Sequence, residues 1–428
     1  MSAQIVFLTL FLGLASGSQT VVLQVNGPVK IVRLFLDRRE VASMTAPPWR
    51  ASIELGADLT PRELTAIGFD ANELEIARAT QILNLPRPAA ELEIALQRNI
   101  ASLRWRHLTN AKPAQAKIAV DGKPLALRSE FDARLPPLDP ALPHLLEAEM
   151  KFEDGLRARC ELVIHGDRFS DSTGTELTPV LVRETSAQHR RTWDGCATSN
   201  GAPVRIAAVE KPRATVIVVR DPDSHDVQLA LDSTGRVWAA RSDAMRHLIP
   251  LDDDTEERML WPVTERYEKL NDATAVLFRP SFDVDASDIG MLRFLLMSGP
   301  DAAEPLRFAD AVAVAGLRAM SGSQRRAVVL VSSGKSDVSV NSPAAVRRYL
   351  ESIGVPLFVW SVSGSSPELV SPWGQVDDVS SLSKLNRAVA RLRRALAEQR
   401  VAWVAVDPLN ALQLKTRESC GISPVAHR

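Results

Sequence analysis

The sequence predicts a multidomain protein in which two β-sandwich domains precede a doubly wound α/β domain. Three observations lead there. The 428 residues exceed what one ordinary core organises, so several domains are expected. Short β-forming runs separated by turn residues recur at even spacing through the first half. In the second half the texture changes to continuous β-branched runs alternating with amphipathic helical patterns.

The first sandwich is expected over residues 20–88. Its strands read at 21–25, 32–36, 51–55, 63–69 and 76–83, with Gly27-Pro28, Asp37-Arg38 and Pro47-Pro48 as breakers. Trp49, after the proline pair, reads as a residue closing the core rather than as a ligand platform. A second sandwich over 89–185 repeats the plan. Leu34-Phe35-Leu36-Asp37 is echoed by Ile118-Ala119-Val120-Asp121, and Phe69-Asp70-Ala71-Asn72 by Phe152-Glu153-Asp154-Gly155. Both echoes are offset by roughly 83 residues, the size of an immunoglobulin-like unit. Asp121-Gly122 and Asp154-Gly155 are hairpin signals. Residues 89–113 are expected to join the copies and supply an edge strand of the second. Residues 186–212, poor in apolar clusters, read as a linker.

The α/β domain is expected over 213–407, followed by a C-terminal tail, 408–428. Its strands read at 215–219, 273–278, 327–332, 355–362 and 401–406, and its helices at 308–320, 343–353 and 382–399. The last helix places Leu382, Leu385, Ala388, Val389, Leu392 and Leu396 on one face. The acidic run Asp252-Asp253-Asp254-Thr255-Glu256-Glu257 reads as solvated charge at a helix start, with a Ca²⁺ site as the alternative. Doubly wound sheets bind ligands beyond the carboxyl ends of their strands, so the loops after Val219 and Ser332 are the places to look. The first of them, Asp221-Pro222-Asp223-Ser224-His225-Asp226, gathers the carboxylate and hydroxyl oxygens that a hard cation such as Mg²⁺ or Ca²⁺ takes. The same residues also read as a solvated acidic turn.

The block Phe308-Ala309-Asp310-Ala311-Val312, then Arg325-Arg326-Ala327-Val328-Val329-Leu330-Val331-Ser332-Ser333-Gly334, then Gly354-Val355-Pro356-Leu357-Phe358-Val359-Trp360 resembles the von Willebrand factor A fold, particularly the exported bacterial proteins related to it. In that family the first strand ends in an Asp-x-Ser-x-Ser metal motif, a second loop supplies Thr, and the fourth strand ends in Thr-Asp-Gly. Here Asp221 matches the first Asp, while Asp223 and His225 stand in place of the two Ser. The Thr position falls near Leu306 or Arg307, and Ser332-Ser333-Gly334 replaces Thr-Asp-Gly. The resemblance, covering roughly residues 213–407, implies a non-enzymatic protein-interaction or adhesion role with a protein partner. It also implies a degenerate metal site of Asp221, Asp223 and Ser332 that holds no metal, or Mg²⁺ or Ca²⁺ weakly.

Composition narrows the classes further. With 51 Lys and Arg against 52 Asp and Glu, no global field would recruit nucleic acid. No stretch reaches about 18 apolar residues, so no membrane-spanning helix is expected. The apolar run 5–14, followed by Ala15-Ser16-Gly17, reads as a signal peptide over 1–17, with a buried N-terminal strand as the alternative. Three cysteines allow one intrachain disulfide at most. Cys160 falls in an alternating strand pattern, which leaves Cys196 and Cys420 as the pair where a bridge forms. Gly-x-Ser-x-Gly, His-Glu-x-x-His and Gly-x-Gly-x-x-Gly are absent, and Gly334-Lys335-Ser336 has Val329 where a phosphate loop needs its first Gly. An exported hydrolase with its site in the strand-end loops and a structural envelope scaffold are the rival readings. Nothing in the sequence fixes an oligomeric state.

Overall fold

The computed structural model describes residues 3–11, 13–97, 99–139, 142–164, 173–185, 193–222, 251, 254–265, 277–280, 305–333, 336–362 and 371–425. In the first sandwich, β1 (Gln4–Phe7), β2 (Ser18–Asn26) and β5 (Arg50–Glu54) form one sheet in the order β1-β2-β5. The facing sheet contains β3 (Ile31–Leu36), β4 (Arg39–Met44), β6 (Arg62–Phe69) and β7 (Glu75–Leu83) in the order β4-β3-β6-β7. Alternation along β3 buries Val32, Leu34 and Leu36 against Val21, Leu23 and Ile53 of the other sheet, and Trp49 packs at the margin of that core. Residues 4–7, expected as part of a leader, are a strand here.

The second sandwich repeats this wiring. Strands β8 (Ala90–Gln97), β9 (Ile100–His107) and β12 (Asp132–Arg134) form its three-stranded sheet in the order β8-β9-β12. The other sheet runs β11-β10-β13-β14-β15, with β10 (Pro113–Val120), β11 (Lys123–Pro124), β13 (His144–Phe152), β14 (Arg157–Ile164) and β15 (Thr173–Glu176). The internal echoes fall on equivalent places. Asp37 and Arg38 have φ of 49° and 71°, and Asp121 and Gly122 have 49° and 72°, the left-handed pair a two-residue hairpin needs. In each copy that aspartate also accepts a backbone hydrogen bond from the neighbouring strand of its sheet, Asp37 Oδ1 from Glu63 N at 3.0 Å and Asp121 Oδ1 from Leu145 N at 2.9 Å. Residues 89–113 depart from expectation: they hold β8 and β9, the first two strands of the second module, rather than a connector.

A third β module was not foreseen. Strand β16 (Thr178–Glu184), expected to end the second sandwich, lies between β26 (Gln399–Val404) and β28 (Ile422–Pro424), and β19 (Ile206–Glu210) completes the sheet β19-β26-β16-β28. Strands β17 (Ala197–Ser199), β18 (Ala202–Val204) and β27 (Leu414–Thr416) form a second small sheet. The expected linker and the expected tail are therefore strands of one module, interrupted in sequence by the α/β unit. Residues 401–406, expected in the parallel sheet, pair antiparallel with β16 and β19 instead. A continuous apolar run says that a strand is buried on both faces, not which sheet buries it. Cys196 and Cys420 are disulfide-bonded across this module, and Cys160, outside that bridge, is buried in the second sandwich.

The α/β unit has one six-stranded sheet containing β20 (Ala214–Arg220), β21 (Thr255–Glu265), β22 (Leu277–Pro280), β23 (Arg325–Ser332), β24 (Leu357–Ser361) and β25 (Val376–Asp378). The order is β22-β21-β20-β23-β24-β25, parallel except for β22, so by rank within the unit it reads 3-2-1-4-5-6. Every residue of β20 and β23 is buried, as their β-branched runs require. Helices α1 (Phe308–Met320) and α2 (Pro343–Ser352) cover one face, and α3 (Leu382–Glu398) covers the other with Leu385, Ala388, Val389, Leu392 and Leu396. Ser342, with Pro343 at the first helical position, caps α2, and Ser381 caps α3. Strand β21 corrects the reading of the acidic run: Glu257 is 0% exposed, inside the sheet rather than in solvent. Asp252 and Asp253 lie outside the described residues.

The modules dock closely on the α/β unit. Leu59, from a loop of the first sandwich, enters the core between the sheet and α1–α2, and the Tyr349 hydroxyl of α2 donates to Asn84 O at 3.1 Å. At the amino edge of the sheet, Ser323 Oγ donates to Arg157 O at 3.0 Å, while Arg325 Nη1 donates to Leu396 O and its Nε to Pro212 O. Glu210 of the third module accepts from Arg157 and Arg159 of the second sandwich, each at 3.0 Å, and from Trp403 Nε1 at 2.8 Å.

Candidate functional site

In a sheet of order 3-2-1-4-5-6 the chain turns in opposite directions from its first and fourth strands, opening a crevice beyond their carboxyl ends. Those strands are β20 and β23. Two of the three expected residues, Asp221 and Ser332, lie at this switch point. Asp221, 2% exposed, follows β20 and donates its N–H to Val331 O at 3.1 Å, so it stands beside the end of β23. Ser332, buried, is the last residue of β23, and the hydroxyl of Ser333 just beyond it donates to Asp221 Oδ2. Asp223 and His225 lie outside the described residues. Two guanidinium groups flank the same edge. Arg220, buried on the opposite side of β20, lies with its guanidinium carbon 4.9 Å from the ring centre of Trp261, and burial lowers its pKa to about 10. Arg307 N donates to Pro262 O at 2.9 Å, which sets Leu306 and Arg307 beside the carboxyl-terminal part of β21, where the resemblance asks for a Thr hydroxyl.

These residues supply one carboxylate, already receiving a hydrogen bond, and two hydroxyls. A divalent cation takes six or more oxygens, so the described residues do not fit a preformed Mg²⁺ or Ca²⁺ site by themselves. Among the described residues no group of three His, Cys, Asp or Glu side chains could hold a metal.

Two carboxylates that sequence reasoning passed over shape the rim. Asp337, in the loop after β23, accepts from Phe308 N at 3.0 Å and Ala309 N at 3.1 Å, capping α1 from outside its own segment, since Arg307 at the N-cap makes no side-chain cap bond. Asp310 answers from the helix, accepting from Val340 N at 3.0 Å, Asn341 N at 3.1 Å and Arg307 Nε at 2.8 Å. The pair clamps residues 337–341 against the helix and presents Val338 and Val340 outward, Val340 being 78% exposed. No local spacing marks this clamp, because one half lies on α1 and the other in the loop after β23. Replacing Asp337 with Ala should cost about 1–2 kcal/mol of stability, the loss of a cap with both its hydrogen bonds, with Asn restoring part of it in denaturant titrations.

Elsewhere, an apolar cleft of about 70 Å³ lies where the modules join, lined by Leu85, Pro88, Leu156, Met320 and Trp403 among others. His107 and His144 are tied to turns of the second sandwich, to Asp154 at 3.1 Å and Asp121 at 2.7 Å respectively. The Asp121 hydrogen bond raises the pKa of His144. No described helix is long and apolar enough to cross a membrane.

No family model matches the chain, and no curated protein matches it. Solved structures similar to it include the fibronectin(III)-like modules of Clostridium thermocellum CbhA, at 12% identity over 38% of this chain and 93% of that one, with a TM-score of 0.16. The central fibronectin-III array of RIM-binding protein matches at 14% identity over 44% and 76%, with a TM-score of 0.20. Proximal thread matrix protein 1 of the mussel byssus matches at 13% identity over 49% and 50%, with a TM-score of 0.30, so the chain spans about half of that protein. At scores this low the sandwich assignment rests on the strand pairings themselves.

Proposed function

We propose that this chain is an exported, non-enzymatic protein-binding protein whose α/β unit follows the von Willebrand A plan and contacts its partner through the carboxyl edge of its sheet. The observation that carries the reading is the hydrogen bond from Ser333 to Asp221, which joins the ends of the first and fourth strands where that plan puts its contact site. The docking pattern supports it. Among the described residues, the intermodule contacts fall on the α1–α2 face, held by the first sandwich, and on the amino edge, held by the second and third modules. Val338 and Val340 offer apolar contact at the carboxyl edge beside charged groups, the mixture expected of a protein interface. The Cys196–Cys420 disulfide supports export, since such bridges persist in oxidising compartments.

The test is site-specific photo-crosslinking of the full chain in the cells that make it. A crosslinker replacing Val340 should give a discrete protein adduct that weakens with Asp221→Arg, whereas one at exposed Leu108 on the second sandwich should not. Adducts equal at both positions, or none at 340, would overturn the reading. The contact is also expected to be metal-independent, because Arg220 and Arg307 lie at the edge and Asp221 already accepts a hydroxyl. Millimolar Mg²⁺, Mn²⁺ or Ca²⁺ should leave the unfolding midpoint unchanged, and a rise abolished by Asp221→Ala would contradict this.

A further inference from the structure

We infer that residues 4–15 are the permanent first strand and connecting loop of the first sandwich and stay in the mature chain, rather than forming a leader that is removed. A leader's apolar core is recognised by bulk hydrophobicity, without regard to which side a residue faces. This segment is sided. Ile5 and Phe7 are 5% and 7% exposed, while Val6 and Leu8 between and after them are 39% and 57% exposed. That period of two is a strand's. All four residues of β1 pair in register with β2, from Gln4 opposite Asn26 to Phe7 opposite Leu23, and Leu8 N continues the ladder to Val22 O at 2.9 Å.

The rest of the module is shaped around the segment. On β6, Gly68 carries no side chain where Ile5 enters: a methyl group there would lie 2.8 Å from Ile5 Cδ1. Thr9 Oγ1 accepts from Val22 N at 2.9 Å, and Gln81 Nε2 of β7 donates to Thr9 O at 3.3 Å. Ala15, at the expected cleavage site, is buried and held at both backbone groups by one side chain. Its N–H donates to Asn84 Oδ1 at 2.7 Å, and Asn84 Nδ2 donates to its carbonyl at 2.9 Å. The same Asn84 accepts the Tyr349 hydroxyl through its own carbonyl, and Leu14 packs against the core under α1 and α2. Removal up to residue 17 would take out a strand and loosen the joint between this sandwich and the α/β unit.

The internal repeat supplies an independent argument. In the second sandwich the strand equivalent to β1 is β8, which pairs with β9 as β1 pairs with β2, and buries Leu92 and Ile94 with the same alternation. That strand lies in mid-chain, where no leader can be. Two copies of one wiring both use a first strand, so the apolar run at residues 5–7 serves the fold.

The experiment is the N-terminal sequence and intact mass of the full chain recovered from each compartment of a secreting host, together with a substitution series. The mature N-terminus is expected upstream of Ile5 wherever the protein is found. An N-terminus between Ala15 and Ser18 would overturn the inference. Export is scored separately by the compartment, so a retained segment on a protein kept inside the cell would sink export and not the strand. In the series, Ile5→Asp and Phe7→Asp should lower the unfolding midpoint, with Val6→Asp and Leu8→Asp close to the parent. The loss caused by Gly68→Ala should shrink when Ile5→Ala is also present. Equal responses at all four positions, or a Gly68→Ala loss indifferent to residue 5, would overturn it as well.

Discussion

Replacing Cys196 and Cys420 together with alanine is expected to lower stability by about 3–5 kcal/mol, the upper part of the range for a single bridge. The two cysteines are 224 residues apart, with the whole α/β unit between them. Closing so long a loop removes much freedom from the unfolded chain, and the cost rises with the logarithm of loop length. In the folded chain, both sulfurs lie in the core of the third module with Val182, Ile206, Val404 and Ile422, so the bridge ties the two sequence-distant halves of one small core. Denaturant unfolding with and without reductant checks this. The parent should shift to lower denaturant on reduction, and the double variant should sit at the reduced position in either buffer. A double variant as stable as the oxidised parent would show that the strand pairings alone hold the module.

Glu257→Gln is expected to stabilise the protein by about 3 kcal/mol at pH 7. The Glu257 side chain lies opposite Val216 on a face of the sheet shared with Val218 and Val329, and neither carboxylate oxygen has a hydrogen-bond partner among the described residues. Burial raises its pKa from 4.5 to about 8. Below the unfolded value both states hold the proton and the carboxyl imposes no ionisation penalty. Between pH 4.5 and 8 the unfolded state releases it while the folded state keeps it, so stability falls by about 1.4 kcal/mol per pH unit and levels off above the folded pKa. Glutamine, similar in shape and never ionised, removes that slope. The gain should be small at pH 5, about 3 kcal/mol at pH 7 and about 5 kcal/mol at pH 9. Parallel pH profiles of parent and variant would show that a cation compensates the carboxylate in place.

Much of the local architecture could be read from residues. Asp37-Arg38 and Asp121-Gly122 marked hairpins because few residues tolerate positive φ, and the structure puts left-handed backbone at both. Helix α1 follows its apolar pattern from Phe308 to Met320 without a shift. That Asp221 and Ser332 lie at one edge of the sheet was legible because parallel strands bring their carboxyl ends together. The clamp of Asp310 and Asp337 was not, since each carboxylate caps backbone about 30 residues away in sequence. Glu257 was misread for a related reason. A run of acids looks solvated until a neighbouring strand buries one of them, and burial is decided by Val216 and the strand carrying it rather than by Glu257.

What the sequence by itself determined is local: which segments extend, which wind, where hairpins turn, and that the first half repeats a single plan. These follow from side-chain periodicity and backbone sterics acting over a few residues. Only the tertiary structure decided the company each strand keeps. Residues 401–406 carry the composition of a central parallel strand, yet β26 pairs with β16 more than two hundred residues earlier and closes a module around the inserted α/β unit. The apolar run at residues 5–7 is sided only because β2 and Gly68 stand where they do. Pairing partners are set by the lowest free energy of the whole packed assembly, and a local window does not contain the partner.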